Sequence, residues 1–393
     1  MSFVEINDAC HYARGCEAVN LDEIDQDFRR WLDIIVEEFL RNVSEINRSF
    51  CNFRGVNLQI GFFESPKFDA CSFTFKGKDY ILVSFTQIVW LRQLFVTIEY
   101  EGISPGDPAS PTFFGHKPVE TPIAIPPFKN PILAKEVSPY DEVRRGIRPK
   151  LKSPLQAGYP FHCLTTGMHA IFHHELGHLW NGHCDLLSAD GKEILHESTF
   201  FNGYFNIVRY ALEMDADCMA MRGLLLWHFR RFKIPCLSVP DKFDPKEMTD
   251  IERRVFFKTL ISLPNLIFPL YITMRMSMVK SGFCQEKSLI KPKYHPPLFF
   301  RMRVQIDEIF TFFHFAPRFS RLIWDLSRFW LDTSEAIFSA STSEAKINIF
   351  SPEISREFNS IYTQAVKAWE ALWPKLDPYK RGRELRRYQA GIE

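Results

Sequence analysis

The 393-residue sequence predicts an α+β protein, predominantly helical, with one small β-sheet. Three observations carry this reading. Phenylalanine is abundant at 38 residues and glycine sparse at 18, a balance that suits aromatic-packed helices better than a β-sandwich. Apolar residues recur at helical spacing along several long stretches. Strand-like alternation is confined to residues 57–86. Hydrophobic residues make up 46% of the chain, enough for a sizeable core and against global disorder. The formal net charge of +1 leaves no electrostatic footprint for a nucleic acid or an anionic membrane surface.

Taken in order, residues 21–47 form an amphipathic helix. Leu21, Ile24, Phe28, Trp31, Leu32, Ile35, Val36, Phe39 and Leu40 make its apolar stripe. Residues 57–64 and 70–86 alternate as strands, with a turn at Lys76-Gly77-Lys78-Asp79, so a hairpin or small sheet is expected. Residues 87–97 read as helix. The stretch 104–160 holds twelve of the 25 prolines, which excludes regular helix or central strand there. It is expected to be an irregular excursion, either lying over a cleft or serving as a linker. Residues 201–232 and 298–375 are expected to be helical, the latter with breaks. Val255 to Met274 carries one charge, Lys258, and approaches the length of a membrane span. Pro264 and Pro269 inside it, and the lack of a second such segment, favour a buried, kinked core helix over a single span. The basic stretch Lys380 to Arg387 reads as a solvated helix end. Nine cysteines at irregular spacings, with no C-x-x-C pair, read as reduced thiols, and the N-terminus lacks the pattern of a secretory signal. A cytoplasmic location is therefore expected, with a single-span, membrane-associated protein as the alternative.

The chemistry concentrates in Gly167 to Cys184, which contains His174-Glu175-Leu176-Gly177-His178. On a helix, residues four apart share a face, so His174 and His178 can present two imidazoles to one metal ion. Glu175 follows the first of them and can reach a water on that ion, which is the arrangement a zinc hydrolase needs. Ile171, Phe172, Leu176, Leu179 and Trp180 give the helical period. Thr165 and Thr166 are assigned as N-caps and Gly182 as the stop. Gly177 costs about 1 kcal/mol of helix stability against alanine, which makes sense if another backbone or a substrate passes close. The rival reading is a chance match to a short pattern. Against it, buried histidines and a buried glutamate on an apolar helix are costly without partners. His169, His173 and His183 crowd the same stretch and offer an alternative or second metal set.

Two glutamates compete as third ligand. Glu197 follows His178 after eighteen residues, a spacing that resembles the large aminopeptidases, whose G-x-M-E-N motif is absent here. Glu213 lies in Glu213-Met214-Asp215-Ala216-Asp217, and Asp217 shares its helical face. Glu213 can then bind metal while Asp217 orients a ligand histidine through its other ring nitrogen, which favours Glu213 over Glu197.

At this point the chain resembles a known family. Glu213-x-Asp215-Ala216-Asp217 is similar to the E-x-E/D-A-D motif of the gluzincin peptidases that include the CAAX prenyl protease and the HtpX heat-shock protease. His295-Pro296-Pro297-Leu298-Phe299-Phe300-Arg301 resembles the H-P-x-x-x-x-R segment that follows in that family. Residues 65–73 and 80–84 are weakly similar to its edge-strand region. The chain departs from the family in lacking its usual set of clear membrane spans. The resemblance implies a zincin-like metallopeptidase domain at 57–305, with a small edge β-sheet on the metal-binding helix and the insertion 104–160. Helical regions 1–56 and 306–393 flank it. It implies one Zn2+ on His174, His178 and Glu213, Glu175 as general base, and Asp217 behind the ligands. His295 would stand near the substrate or the oxyanion, and Arg301 would form a buried ion pair. The expected function is zinc-dependent endopeptidase cleavage of a protein or peptide substrate. The alternatives are a silent or regulatory zinc-binding protein, or an aminopeptidase-like enzyme using Glu197.

Overall fold

The structure, a computed structural model, describes residues 3–49, 56–65, 68–100, 154–189, 204–232, 249–280, 296–313, 317–342 and 346–381. Its elements in chain order are α1 (Phe3–Arg14), α2 (Gln26–Ser49), β1 (Leu58–Phe63), β2 (Ala70–Phe75), β3 (Lys78–Ser84) and α3 (Phe85–Tyr100). Then come α4 (Pro154–Trp180), α5 (His183–Ala189), α6 (Tyr204–Arg231), α7 (Asp250–Lys280), α8 (Leu298–Phe313), α9 (Pro317–Thr342) and α10 (Pro352–Leu376). The protein is mostly helical with one three-stranded sheet, as the composition and periodicity predict.

The sheet has the order β1-β3-β2. β2 and β3 form the expected hairpin, closed by Lys76 and Gly77, both at positive φ, which matches the strand twist of a two-residue loop. β1 lies parallel to β3, with Leu58 opposite Asp79 and Phe63 opposite Ser84. Both faces are buried. Phe63, Cys71, Phe73, Tyr80 and Leu82 pack under Ile6, Ala9, Cys10 and Ala13 of α1. The sequence reading expected a helical region over 1–56 but resolved no separate helix before residue 21, because α1 buries only small or modest apolar groups. The opposite face sends Ile60, Phe62, Ala70, Ile81 and Val83 into the core shared with α2, α3 and α4. Ser72, polar and in step with Ala70, is therefore fully buried on the side of α4.

Helix α4, roughly 40 Å long, is the axis of the fold. Helices α2, α3, α6 and α7 and strand β2 all pack against it. Residues Phe28, Leu32, Ile35 and Phe39 of α2 recur at three- and four-residue spacing and are buried as predicted, with Phe39 against Phe172 of α4; Val43 extends the same stripe. α10 and α8 pack on α6 from the other side.

Three expectations are corrected. Residues 154–160 belong to α4 rather than to an irregular excursion. Pro154 opens the helix, where a missing N–H has no partner to lose, and Pro160 sits inside it. Residues 104–153 of the expected excursion lie outside the described residues. Thr165 and Thr166 are not N-caps: they lie mid-helix, and their hydroxyls donate to the carbonyls of Phe161 and His162 at 2.7 and 2.9 Å. Arg381, read as the start of a solvated tail, is buried. Its guanidinium pairs with Asp79 and Asp185 and its N–H donates to the Trp180 carbonyl at 2.6 Å.

α7 is the expected proline-containing core helix. Pro269 has no N–H for the Asn265 carbonyl, and His162 Nε2 of α4 stands 3.1 Å from that oxygen instead. No helix among the described residues is long and apolar enough to cross a membrane. Cys10, Cys16, Cys71, Cys163, Cys184 and Cys218 are free thiols, as expected.

Candidate metal centre

Gly177 and Ala216 set the geometry. A Cβ at position 177 would stand 3.1 Å from both the Ala216 Cα and the Met219 Cβ, so α4 and α6 cross with only a hydrogen atom's room between them. The expectation that a backbone passes close to Gly177 holds, and that backbone is α6. This crossing lays Glu213, Asp215 and Asp217 alongside His174 and His178.

His174, His178 and Glu213 form one buried group whose ligand atoms all lie within 4.8 Å of one another, and it can hold a metal ion. The Nε2 atoms of the two histidines are 3.2 Å apart. Glu213 Oε2 is 3.2 Å from His174 Nε2, and Oε1 is 3.8 Å from His178 Nε2. Two imidazoles and a carboxylate suit a divalent d-block ion with an open position. Among the described residues no other set of histidine, cysteine or carboxylate side chains meets this geometry. Glu197, the rival third ligand, lies outside the described residues, and so does His295.

His169 and His173 do not form a second set. Their rings pack edge-on against Phe39 of α2, and His169 also stacks near Trp227 of α6. They occupy the other face of α4 as buried core histidines.

Each ligand histidine has a partner behind it. His174 Nδ1 lies 3.0 Å from Asp217 Oδ1. Arg301 grips Asp217 with both arms of its fork, Nε to Oδ2 at 2.8 Å and an Nη to Oδ1 at 2.7 Å, and Gln305 donates to Oδ1 at 3.0 Å. The Pro297 carbonyl accepts from the N–H groups of Phe300 and Arg301, so Pro297 leads into α8 one turn before Arg301. His178 Nδ1 lies 2.9 Å from Nδ1 of a second imidazole, His183, whose Nε2 is 3.4 Å from Asp215 Oδ2. Asn181 donates to the same Asp215 oxygen. The positive φ of Gly182, +78°, turns the chain so that His183 folds back under His178.

The electrostatics follow from burial and these partners. Burial and Arg301 oppose a charge on His174, but Asp217 and Glu213 outweigh both and push its pKa up to about 10. Burial alone would raise Asp217, and Arg301 with His174 reverses this and holds it below its usual value. Burial pushes His178 well down despite Glu213. Burial pushes the Glu175 carboxyl up, against His174 and a hydrogen bond from Ser72. A metal ion competes with protons for these nitrogens. Arg209, one turn before Glu213, brings its Nε to 3.9 Å from Glu213 Oε1.

Sequence reasoning placed His174, Glu175, His178, Glu213, Asp217 and Arg301 in one site, and the structure brings them together. It missed the roles of Asn181, His183, Asp215, Ser72, Gln305 and Arg209. Two of these carried a signal, His183 by its place just after His178 and Asp215 by its fixed place in the Glu213-x-Asp215-Ala216-Asp217 motif. Comparison of the chain with protein-family models, with curated proteins and with solved structures returns no match.

Proposed function

We propose that this chain is a zinc-dependent endopeptidase of zincin-like fold that hydrolyses peptide bonds in a protein or peptide substrate. The observation that carries the reading is the convergence of His174, His178 and Glu213 on one point, with Glu175 on the same helical turn and outer partners behind both histidines. Zinc held by His174, His178 and Glu213 would supply a Lewis acid for activating a water and the scissile carbonyl. Glu175 takes the proton from the attacking water and delivers it to the nitrogen of the leaving amine. Burial raises the Glu175 carboxyl, which favours its carrying that proton between the two halves of the transfer. Asp217, fixed by Arg301, holds His174 with its Nε2 toward Glu213. The resemblance to the gluzincin family points to the same roles.

One observation favours a second reading. His174, Glu175, His178 and Glu213 are 6%, 3%, 3% and 2% exposed, so the centre is closed among the described residues. A zinc-binding protein without turnover would have such a site.

The test is digestion of an unstructured protein and a peptide library by the zinc-loaded chain, read by mass spectrometry, beside Glu175→Gln. Cleavage by the wild type that disappears in Glu175→Gln, with zinc retained, supports the endopeptidase. No cleavage by a fully zinc-loaded wild type supports the silent reading instead.

A further inference from the structure

We propose that His183, backed by Asp215, is a positioning residue that fixes the tautomer and ring orientation of His178, so that each ligand histidine has a carboxylate behind it, one direct and one through a second ring. This rests on the metal reading above. His174 meets Asp217 directly at 3.0 Å, whereas His178 reaches Asp215 through a second imidazole.

The donor and acceptor roles can be followed along the chain. His178 Nε2 faces Glu213 and His174 Nε2, so that nitrogen must be the one that offers a lone pair. Its proton then resides on Nδ1, which donates to His183 Nδ1 at 2.9 Å. With Nδ1 accepting, the proton of a neutral His183 sits on Nε2, facing Asp215 Oδ2 at 3.4 Å. Each nitrogen then has one role, and the negative charge of Asp215, near Nε2 at ion-pair distance rather than in hydrogen-bond geometry, favours this order. Reversing the chain would place a proton on the nitrogen that His178 needs for a metal.

The surroundings hold this arrangement. His183, Asp215 and Asn181 are 0%, 0% and 1% exposed. Trp369 of α10 packs edge-on against the His183 ring, with centroids 6.0 Å apart. Asn181 donates to the Asp215 oxygen that faces His183. Asp215 points away from the Glu213 and Asp217 face of α6, and the Gly177–Ala216 contact brings α6 near enough for Asp215 to reach the turn after α4. One five-residue segment of α6 thereby supplies a ligand and the supports of both histidines.

The experiment measures Zn2+ affinity of the full chain by competition with a chromogenic chelator, together with urea stability of each metal-free variant. The variants are His183→Phe, His183→Gln and Asp215→Asn. His183→Phe keeps the ring volume and removes the acceptor, and zinc affinity should fall about 10- to 100-fold. His183→Gln can accept at its amide oxygen and donate at its amide nitrogen, so it should recover most of the affinity. Asp215→Asn should weaken zinc about tenfold with little change in metal-free stability. If His183→Phe does not fold, the Asp215→Asn and His183→Gln pair decides on its own. Variants that lose stability while binding Zn2+ like the wild type would overturn the proposal and leave His183 as packing. A wild type that binds no Zn2+ would overturn the metal reading itself, and this inference with it.

Discussion

Gly177 on α4 and Ala216 on α6 approach so closely that a Cβ at position 177 would stand 3.1 Å from the Ala216 Cα. The neighbours that a Cβ at 177 would meet are an α-carbon and a β-carbon, which cannot rotate away. Gly177→Ala should therefore destabilise the chain by about 1–2 kcal/mol, although alanine is the better helix former by about 1 kcal/mol. The same substitution pushes α6 away from α4 and should weaken zinc binding. Urea unfolding and a chelator titration check the two halves. A more stable variant with unchanged zinc affinity would mean that the crossing does not set the site.

Asp217 is the direct support of His174 and is fully buried against Arg301. Asp217→Ala should lower zinc affinity about 10- to 100-fold and leave the guanidinium without its fork partner. Asp217→Asn should do less harm to stability, because it keeps the volume and one acceptor. Isothermal titration of both variants would show the order.

Two buried histidines, His162 of α4 and His228 of α6, predict an acid-labile fold. Burial pushes His162 down to about 4 and His228 to about 3, with the Arg231 guanidinium acting in the same direction. Both folded values lie below the unfolded value near 6.5, so the unfolded chain binds more protons between the two. Stability should be full above about pH 6.5 and fall on acidification toward pH 4, with a slope of up to about 1.4 kcal/mol per pH unit for each histidine. His162→Gln keeps a donor for the Asn265 carbonyl and removes the titration. Urea midpoints measured from pH 7.5 to 4.5 should show a shallower fall for this variant. An equal slope would show that His162 is not one of the groups responsible.

Arg381 ties the segment that follows α10 to the sheet and to the C-terminus of α4. Arg381→Ala leaves Asp79 buried without its cation and should cost about 3 kcal/mol. Asp185, one-quarter exposed, can turn to water and limits the loss. Tyr379 lies against Gly182, so the substitution should also loosen the turn that carries His183. Chemical denaturation gives the first number, and a parallel fall in zinc affinity would show the coupling.

Much of this was legible in the sequence because it depends on local spacing. The four-residue separations His174/His178 and Glu213/Asp217 fix a shared face before any tertiary contact is known. The α2 stripe, the β2–β3 hairpin and the proline-bearing α7 follow equally from period and turn chemistry. What was illegible depends on distant partners or on a break in the helical period. Asp215 points away from Glu213 on its helix, so face arithmetic gives it no place in the site. His183 lies beyond the left-handed Gly182, where helical spacing no longer applies, and so it read as a rival ligand. Arg381 meets Asp79 across 302 positions of sequence, and nothing near it in the chain distinguishes it from a solvated tail. Thr165 and Thr166 resemble caps because nothing upstream suggested that α4 begins at Pro154.

The most direct measurement is zinc per chain by elemental analysis for the wild type, Glu175→Gln and Glu213→Ala, prepared in parallel. About one zinc in the wild type and in Glu175→Gln, and little in Glu213→Ala, is the predicted result. Full zinc retention in Glu213→Ala, or no zinc in a wild type offered the metal, would contradict the centre described here.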